Sequence, residues 1–380
     1  MELQGKYNKA FIYTDNADEE SIRQIYSMLN NPGFADTRIA VMPDVHVGKG
    51  SVVGFTMKFN GYINPGVVGV DIGCGIDAYN IGRDDIDYEA FDLFVRQNIP
   101  GGRLVHSKPA EEYFSSSFSM DLLRKAIEKV APGETGRVLC SIGTLGGGNH
   151  FLELDKDPDG GIWLVIHSGS RNFGLKVCRY HQNRAKAYIK DKFKGAGAYH
   201  GMEYMPLAEG GEEYLEDMKA AQDYAAENRA VMGRIIIEGF FKNRLSDCRQ
   251  ISSIHNYCDF EDHTIRKGAI AAPKGKSVII PLNMRDGSIV AKGRGNREWN
   301  CSAPHGAGRL FSRSESKELI TMAEFEESMK GIYSSSVNKG TVDESPMAYK
   351  PSDELISLIQ DTVETEFVMK PVYNFKAGNR

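Results

Sequence analysis

The sequence predicts an α+β fold in which mixed β-sheets are flanked by helices. Apolar, β-branched runs and helical patterns alternate irregularly along the chain, with no repeating βαβ unit, which argues against a doubly wound sheet. Nearly every predicted strand enters or leaves a glycine-rich loop. We therefore expect a functional site built from glycine-rich loops at strand ends.

Apolar periodicity gives the individual elements. Strands are predicted at 38–42, 51–59, 66–72, 137–142, 151–154, 162–166, 250–254, 277–281 and 288–291. Helices are predicted at 21–29, 120–130, 173–193, 212–241, 322–332 and 352–367. Segment 195–248 is interpreted as a helical excursion within the domain, and its start, 195–204, as a mobile surface loop.

Composition bounds the class of protein. The chain has 380 residues, a formal net charge of −5 and 41% hydrophobic residues, which is typical of a soluble globular protein of one large or two smaller domains. No apolar run reaches the roughly 18–20 residues of a membrane helix, so we expect no membrane association. Six scattered cysteines and no signal-peptide pattern predict a cytoplasmic protein with reduced thiols. The mild acidity argues against general nucleic-acid coating but allows a local basic groove.

Glycine is the compositional anomaly. The forty glycines exceed a tenth of the chain, against a usual share of about 7%. They cluster at 48–54, 69–75, 143–150, 167–174, 287–295 and 305–308. Because these clusters also carry His, Asp, Cys and Arg, they favour loops that close on one ligand-binding centre.

Five residues form a candidate metal set at strand–loop junctions: Asp71, Cys74, His150, His167 and His255. Taken singly, each histidine is more often structural, Cys74 is more often a small buried residue, and Asp71 could form a turn. Five candidates exceed the four ligands of a closed tetrahedral site, which allows two ions bridged by the thiolate. Ligand preference alone favours zinc.

His305 is the second candidate, because the segment 304-PHGAGR-309 leaves its imidazole without bulky neighbours. Such a histidine can attack a nucleotide α-phosphate, and Arg309 and Arg171 could steady the charge on the phosphoryl oxygens. The alternative is a helix start with His305 near its cap. The chain lacks Gly-x4-Gly-Lys-Ser/Thr, Gly-x-Gly-x-x-Gly after a strand, and Lys-x-Asp-Gly, so a nucleotide needs another mode of binding.

Seven sequence blocks resemble those of the RtcB RNA ligases, in the same order from about Pro43 to Lys376. They are PDVHVGKG at 43–50, GVDIGCG at 69–75, GGNHFLE at 147–153, HSGSR at 167–171, HNY at 255–257, PHGAGR at 304–309 and DESPMAYK at 343–350. The resemblance implies a single ligase domain over residues 1–380.

The resemblance also implies a GTP- and manganese-dependent reaction. RNA 3′-phosphate or 2′,3′-cyclic phosphate ends would be joined to 5′-hydroxyl ends through guanylylated His305 and an RNA(3′)pp(5′)G intermediate. Asp71, Cys74 and His150 would bind one Mn²⁺, and Cys74, His167 and His255 the second. Manganese therefore replaces the zinc expectation, with Zn²⁺ kept as a substitute.

Further positions match segments that line the guanine nucleotide in the family. They are Asn149, His150, Phe151, Leu152, Glu153, His255, Asn256, Pro281, Leu282, Asn283, Met284, Ser288, His305, Gly306, Ala307, Gly308 and Lys376. In 281-PLNMRDGS-288, Leu282 and Asn283 replace the family's glycine and serine, which puts the path of this loop in question. The run 292–297 is the best basic patch for RNA, and segment 99–108 is atypical.

Two other functions stay open. A metal-dependent phosphatase or cyclic phosphodiesterase acting on RNA ends would need neither His305 nor GTP. A non-catalytic RNA-end-binding protein would bind ends without turnover. We expect a monomer, and leave open the physiological RNA and an accessory activation factor.

Overall fold

The computed structural model describes residues 1–82, 85–193 and 199–377. Its helices are α1 Glu19–Leu29, α2 Pro65–Val68, α3 Tyr88–Asn98, α4 Met120–Val130, α5 Thr135–Cys140, α6 Arg171–Lys192, α7 Gly211–Gly239, α8 Arg313–Leu319, α9 Met322–Ser328 and α10 Ser352–Leu358. Its strands are β1 Glu2–Gln4, β2 Lys9–Ile12, β3 Ile39–His46, β4 Val53–Lys58, β5 Tyr62–Ile63, β6 Gly75–Gly82, β7 Phe151–Lys156, β8 Ile162–Ser168, β9 Met205–Pro206, β10 Gln250–Ile254, β11 Asn256–Asp259, β12 Thr264–Lys267, β13 Ala269–Ala271, β14 Ser277–Asn283, β15 Gly287–Gly293, β16 Ser302–Pro304 and β17 Val363–Phe375.

Two large sheets organise these ranges. A six-stranded sheet has the order β1-β2-β3-β4-β12-β11 and is mixed, because β2 and β3 are parallel. A seven-stranded sheet has the order β10-β6-β8-β7-β17-β15-β14, and each neighbouring pair in it is antiparallel. Helices flank the sheets, so the α+β prediction is confirmed.

Helix α7 packs against β6 and β8 and joins the largest hydrophobic cluster. Its apolar positions become continuous towards the C-terminal half, where Ile235, Ile236 and Ile237 are buried. Residues 195–198 of the predicted mobile loop lie outside the described residues. No helix in the described part of the chain has both the length and the apolar character that crossing a membrane requires.

Two predicted strands are wrong because local helix signals prevail. Segment 66–72 contains residues 66–68 of α2. This helix begins at Pro65, and the Asn64 side chain caps its start by accepting a hydrogen bond from the backbone N–H of Gly66. Segment 137–142 lies largely in α5, whose Val138 and Leu139 are buried in the main core. A short apolar run does not distinguish a buried helix from a strand.

The predicted helix at 352–367 is wrong in its second half. Helix α10 ends at Leu358, and β17 begins at Val363 between β7 and β15. The Val and Thr residues of this segment favour a strand. Hydrogen bonds to β7 on one side and to β15 on the other stabilise the strand over a helix. Strand β6 was missed altogether, although it lies between β10 and β8 and begins one residue after Cys74.

Candidate functional site

The five candidate metal ligands come together at one edge of the seven-stranded sheet. Adjacent antiparallel strands place their ends side by side: Ile76 of β6 lies opposite His167 of β8, which in turn lies opposite Phe151 of β7. The turn before β6, the residue before β7, the end of β8 and the residue after β10 therefore meet. These positions carry Asp71, Cys74, His150, His167 and His255.

The ligand atoms form two groups that share one sulfur. Cys74, His167 and His255 form the first group, and Asp71, Cys74 and His150 form the second, with ligand atoms within 4.8 Å of one another in each. The Sγ of Cys74 lies 3.3 Å from Nε2 of His167 and 3.4 Å from Nε2 of His150. The Nε2 atoms of His167 and His255 are 3.3 Å apart.

The electrostatics of two histidines and of Asp71 suit metal ions. Burial holds the pKa values of His167 and His255 well below their ordinary value, so both imidazoles are neutral and keep a lone pair for a cation. Burial alone would raise the pKa of Asp71, but the nearby His150 leaves that pKa below its ordinary value. Neutral imidazoles, a carboxylate and a sulfur that converge in a buried place form a donor set that fits divalent cations.

A buried Asn–Arg pair on α7 supports this edge from behind. The guanidinium of Arg229 donates to the backbone carbonyls of Gly73, at 2.8 Å, and of Ser168, at 3.0 Å, each next to a candidate ligand. Its Nε lies 3.1 Å from the buried Asp77 carboxylate on β6. The amide of Asn228 bonds the Gly143–Thr144 backbone and Ser168 Oγ. Sequence reasoning missed both residues, although two adjacent polar residues near the apolar run of α7 were a usable signal.

Replacing Arg229 by methionine is expected to lower the free energy of unfolding by about 3–5 kcal/mol, because the Asp77 carboxylate would stay buried without its cationic partner. Urea denaturation followed by circular dichroism measures the change. Arg124→Met on the exposed face of α4 is the matched control and should change stability by less than about 0.5 kcal/mol. An Arg229→Met variant as stable as that control would contradict the assigned role.

His305 follows β16 and is oriented by a buried carboxylate. Its Nδ1 donates to Oδ2 of Asp44 at 2.7 Å, and its backbone N–H donates to the same oxygen at 3.2 Å. Asp44 is fully buried in β3, and the His305 ring centroid lies 4.9 Å from that of His255. With the proton on Nδ1, the lone pair is on Nε2. No helix starts here, since α8 begins at Arg313, so the helix-cap alternative is wrong.

Asp44 was not singled out from the sequence, although it lies in the block 43–50. Gly308 lies close to Asp44. Its φ is +75°, and a Cβ there would stand 3.1 Å from the Asp44 carbonyl oxygen. Gly308 therefore allows the chain after His305 to approach the backbone of Asp44 closely.

A cavity of about 710 Å³ opens beside His305 and His167. Most of the predicted nucleotide-binding residues line it, namely Asn149, Phe151, Glu153, Pro281, Leu282, Asn283, Met284, His305, Gly306, Ala307, Gly308 and Lys376. His150, Leu152, His255, Asn256 and Ser288 are not among the lining residues. His150 and His255 point into the metal groups, whereas Leu152 belongs to the main core and the Ser288 side chain is buried. The Asn256 amide donates to the backbone carbonyl of Asp71, at 3.4 Å.

The unusual segment 281–288 forms a hairpin between β14 and β15. Leu282 lies within β14, is buried in a cluster that includes Ala307, and has no positive φ, so the position does not need glycine. The Asn283 side-chain oxygen accepts from the backbone N–H groups of Arg285 and Asp286 and stabilises the turn. The two departures thus build a cavity wall instead of disrupting one.

The two arginines that were predicted to contact phosphate donate hydrogen bonds to other residues of the chain. Arg171 donates from Nε to Thr144 Oγ1, at 3.1 Å, and from Nη2 to the Gly102 carbonyl, at 2.6 Å. Arg309 lines the cavity, but its Nη2 donates to the Asp343 carbonyl at 2.5 Å. Its guanidinium also lies over the Tyr349 ring, 5.2 Å from the centroid. Both arginines therefore hold loops around the site.

One end of the cavity carries opposite charges. The Lys376 ammonium donates to Glu344 at 3.1 Å and to the Asn149 carbonyl at 3.3 Å. Burial raises the pKa of Glu153 to about 7, against the lowering effects of Lys376 and of the hydrogen bond from Asn374. Glu344 was also missed from the sequence. The nearby Lys376, Arg313 and Arg309 outweigh the effect of its burial and hold its pKa at about 2, so it is ionised.

The predicted basic patch at 292–297 is largely neutralised. Lys292 pairs with Glu366 at 2.9 Å, and Arg294 lies 4.0 Å from Glu364, both on β17. In segment 99–108, the His106 ring donates to the Gly143 carbonyl at 3.0 Å, so this histidine is structural.

Comparison with known proteins agrees with this geometry. The model of the family "tRNA-splicing ligase RtcB" matches residues 24–377. RNA-splicing ligase RtcB of Escherichia coli (strain K12) is 31% identical over 371 residues, covering 89% of this chain and 90% of that protein. The tRNA-splicing ligase RtcB of Methanococcus maripaludis is 28% identical, covering 92% and 89%, and RNA-splicing ligase RtcB of Mycobacterium bovis is 26% identical, covering 88% and 94%. This chain therefore belongs to the RtcB family.

Proposed function

We propose that the protein is a GTP- and manganese-dependent RNA ligase that joins RNA 3′-phosphate or 2′,3′-cyclic phosphate ends to 5′-hydroxyl ends. The observation that carries the proposal is the position of His305. Its imidazole is held by Asp44, lines a 710 Å³ cavity and lies against His255 of the candidate metal cluster. Family membership supports the choice of reaction.

In the first step, Nε2 of His305 attacks the α-phosphorus of GTP. An N–P bond forms, the bond from that phosphorus to the β-phosphate oxygen breaks, and pyrophosphate leaves with the electron pair. Asp44 keeps the proton on Nδ1 and stabilises the positive charge that develops on the ring. The histidine thereby carries GMP.

Cavity residues would select and hold the nucleotide. The Glu153 carboxylate can accept hydrogen bonds from the N1–H and N2–H groups of guanine, a pair of donors that adenine lacks. Lys376 places a cation at the same end, and the Phe151 ring gives the base an apolar contact. Two Mn²⁺ ions, held by the groups that share Cys74, would offset phosphate charge and polarise the attacked phosphorus.

Two further transfers complete the reaction. An oxygen of the RNA 3′-phosphate attacks the phosphorus on His305, the N–P bond breaks and RNA(3′)pp(5′)G forms. The 5′-hydroxyl of the second strand then attacks the 3′-phosphate phosphorus, loses its proton, and releases GMP as the phosphodiester forms. A 2′,3′-cyclic end is first opened by water to the 3′-phosphate.

Incubation with GTP and MnCl₂ is expected to increase the protein's mass by one GMP, with the modification mapped to His305 by tandem mass spectrometry under neutral conditions. ATP in place of GTP, and EDTA in place of manganese, are the controls and should leave the mass unchanged. Absence of an adduct with every divalent ion tried, together with hydrolysis of RNA end phosphates without GTP, would instead indicate a metal-dependent phosphatase.

A further inference from the structure

The loop at residues 100–106 is fixed in place beside the metal cluster. The backbone N–H of Leu145 donates to the Pro100 carbonyl at 2.9 Å, and Gly101 forms an isolated β-bridge with Leu145. The backbone N–H of His106 donates to the Cys140 carbonyl at 2.9 Å. These contacts join both ends of the loop to the segment that leads into His150, so the loop is a rigid part of this edge.

The tip of this loop exposes a cation and a large apolar side chain. A turn closes at Gly101, whose carbonyl accepts from the N–H of Leu104, and Gly102 takes a φ of +64°. Arg103 is exposed, and Leu104 is the most exposed large hydrophobic residue of the described chain, at 69%. Within the described residues, the Arg103 side chain makes no hydrogen bond or ion pair.

The tip lies one side chain away from the candidate metal ligands. Arg171 donates to the Gly102 carbonyl. The Nη1 atom of Arg171 and the Nδ1 atom of His150 both lie beside Gly146, where an added Cβ would stand 2.6 Å from the first atom and 2.0 Å from the second. Gly101 also packs against the chain next to Lys376, since a Cβ there would come within 2.6 Å of Cβ of Ala377. The tip therefore lies on the same side of the site as His150 and Lys376.

Charge favours a polyanion at this place. Residues 100–106 contain Arg103 and no Asp or Glu, and the nearest acidic residues along the chain are Glu111 and Glu112, in a chain whose net charge is −5. The run 292–297, the best basic patch in the sequence, is already paired with glutamates. An unpaired arginine on a rigid turn can bind a phosphodiester without breaking another contact, and an adjacent apolar side chain can cover a ribose or a base face.

We propose that the loop tip formed by Arg103 and Leu104 is an RNA-binding surface that contacts the strand backbone next to the reacting ends. The inference rests on the proposed ligase function and adds the path of the substrate. Arg103 binds a phosphate and Leu104 packs on the neighbouring nucleotide.

Fluorescence anisotropy with two labelled RNA strands tests the surface, one ending in a 3′-phosphate and the other beginning with a 5′-hydroxyl. Arg103→Ala is expected to weaken binding of one strand about 3- to 10-fold at low salt and to reduce the slope of log affinity against log salt by about one unit. Arg103→Glu should weaken it further, and Leu104→Ser should weaken it with no change in slope. The strand affected identifies which end crosses the tip.

Arg124→Ala, which removes an exposed arginine from α4, is the matched control and should bind as the unchanged protein does. Unchanged affinity and slope for both strands in the Arg103 and Leu104 variants would overturn the proposal, as would a failure of the unchanged protein to bind either strand. Labelling with GTP, which uses no RNA, is measured on the same samples. Loss of labelling in the unchanged protein would count against the ligase function and not against the loop.

Discussion

Replacing Cys74 by alanine is expected to prevent binding of both proposed metal ions, because its sulfur belongs to both candidate ligand groups. Each group would keep only two ligand side chains, because the alanine methyl group cannot coordinate a metal ion. Loss of a residue that only hydrogen-bonds a metal ligand lowers metal affinity by about 10- to 100-fold. Loss of the shared ligand itself should therefore lower metal affinity by more than about 100-fold at each site. Labelling of His305 with GTP should fall with the metal content.

Equilibrium dialysis against MnCl₂ followed by plasma mass spectrometry measures the number of bound ions. Two variants that each affect one group are the matched controls: Asp71→Asn and His255→Ala should each lower the content by about one ion. Co²⁺ substitution gives a second reading, since a thiolate charge-transfer band should be absent from Cys74→Ala alone. A Cys74→Ala protein that retains either ion at full affinity would show that the sulfur is not shared.

The residues of the two candidate metal groups and His305 could be singled out from the sequence because each lies in a distinctive local context. A histidine at the end of an apolar strand, or an imidazole between a proline and small residues, is visible within ten residues of chain. Strand adjacency then brings the ligands together, and that step needs only the antiparallel order β10-β6-β8-β7. The α+β class followed in the same way, from the mixture of local patterns.

The contacts of the supporting residues were not predictable, because their partners are remote in the sequence. Asp44 lies 261 positions from His305, and Arg229 lies 156 positions from Gly73. Nothing in the local sequence says that a carboxylate within a buried strand will face an imidazole. The same limit explains Leu282, which looked like a disruption of a loop and proved to be a buried strand residue. Local sequence reports conformation and chemistry, whereas long-range packing decides which polar groups meet.

Replacing Asp44 by asparagine is expected to slow the formation of the His305 adduct by about 10²- to 10⁴-fold. The amide is uncharged, so it stabilises the developing imidazolium less well. If its NH₂ group faces Nδ1, it also favours the tautomer with the proton on Nε2, the atom that must attack phosphorus. Asp44 is in neither ligand group, so the metal content should stay at the value of the unchanged protein.

The initial rate of adduct formation at saturating GTP, read by mass spectrometry, separates this orienting role from a general effect of charge. His305→Ala should give no adduct at all, which sets the floor of the assay. Glu20→Gln, which removes an exposed carboxylate from the cavity rim, should label at close to the normal rate. If Asp44→Asn labels within about threefold of the unchanged protein, the carboxylate does not control the tautomer, since a wrong tautomer alone costs far more than that. If the variant instead loses metal, Asp44 acts through the ion site, and the His305–Asp44 pair is a structural contact.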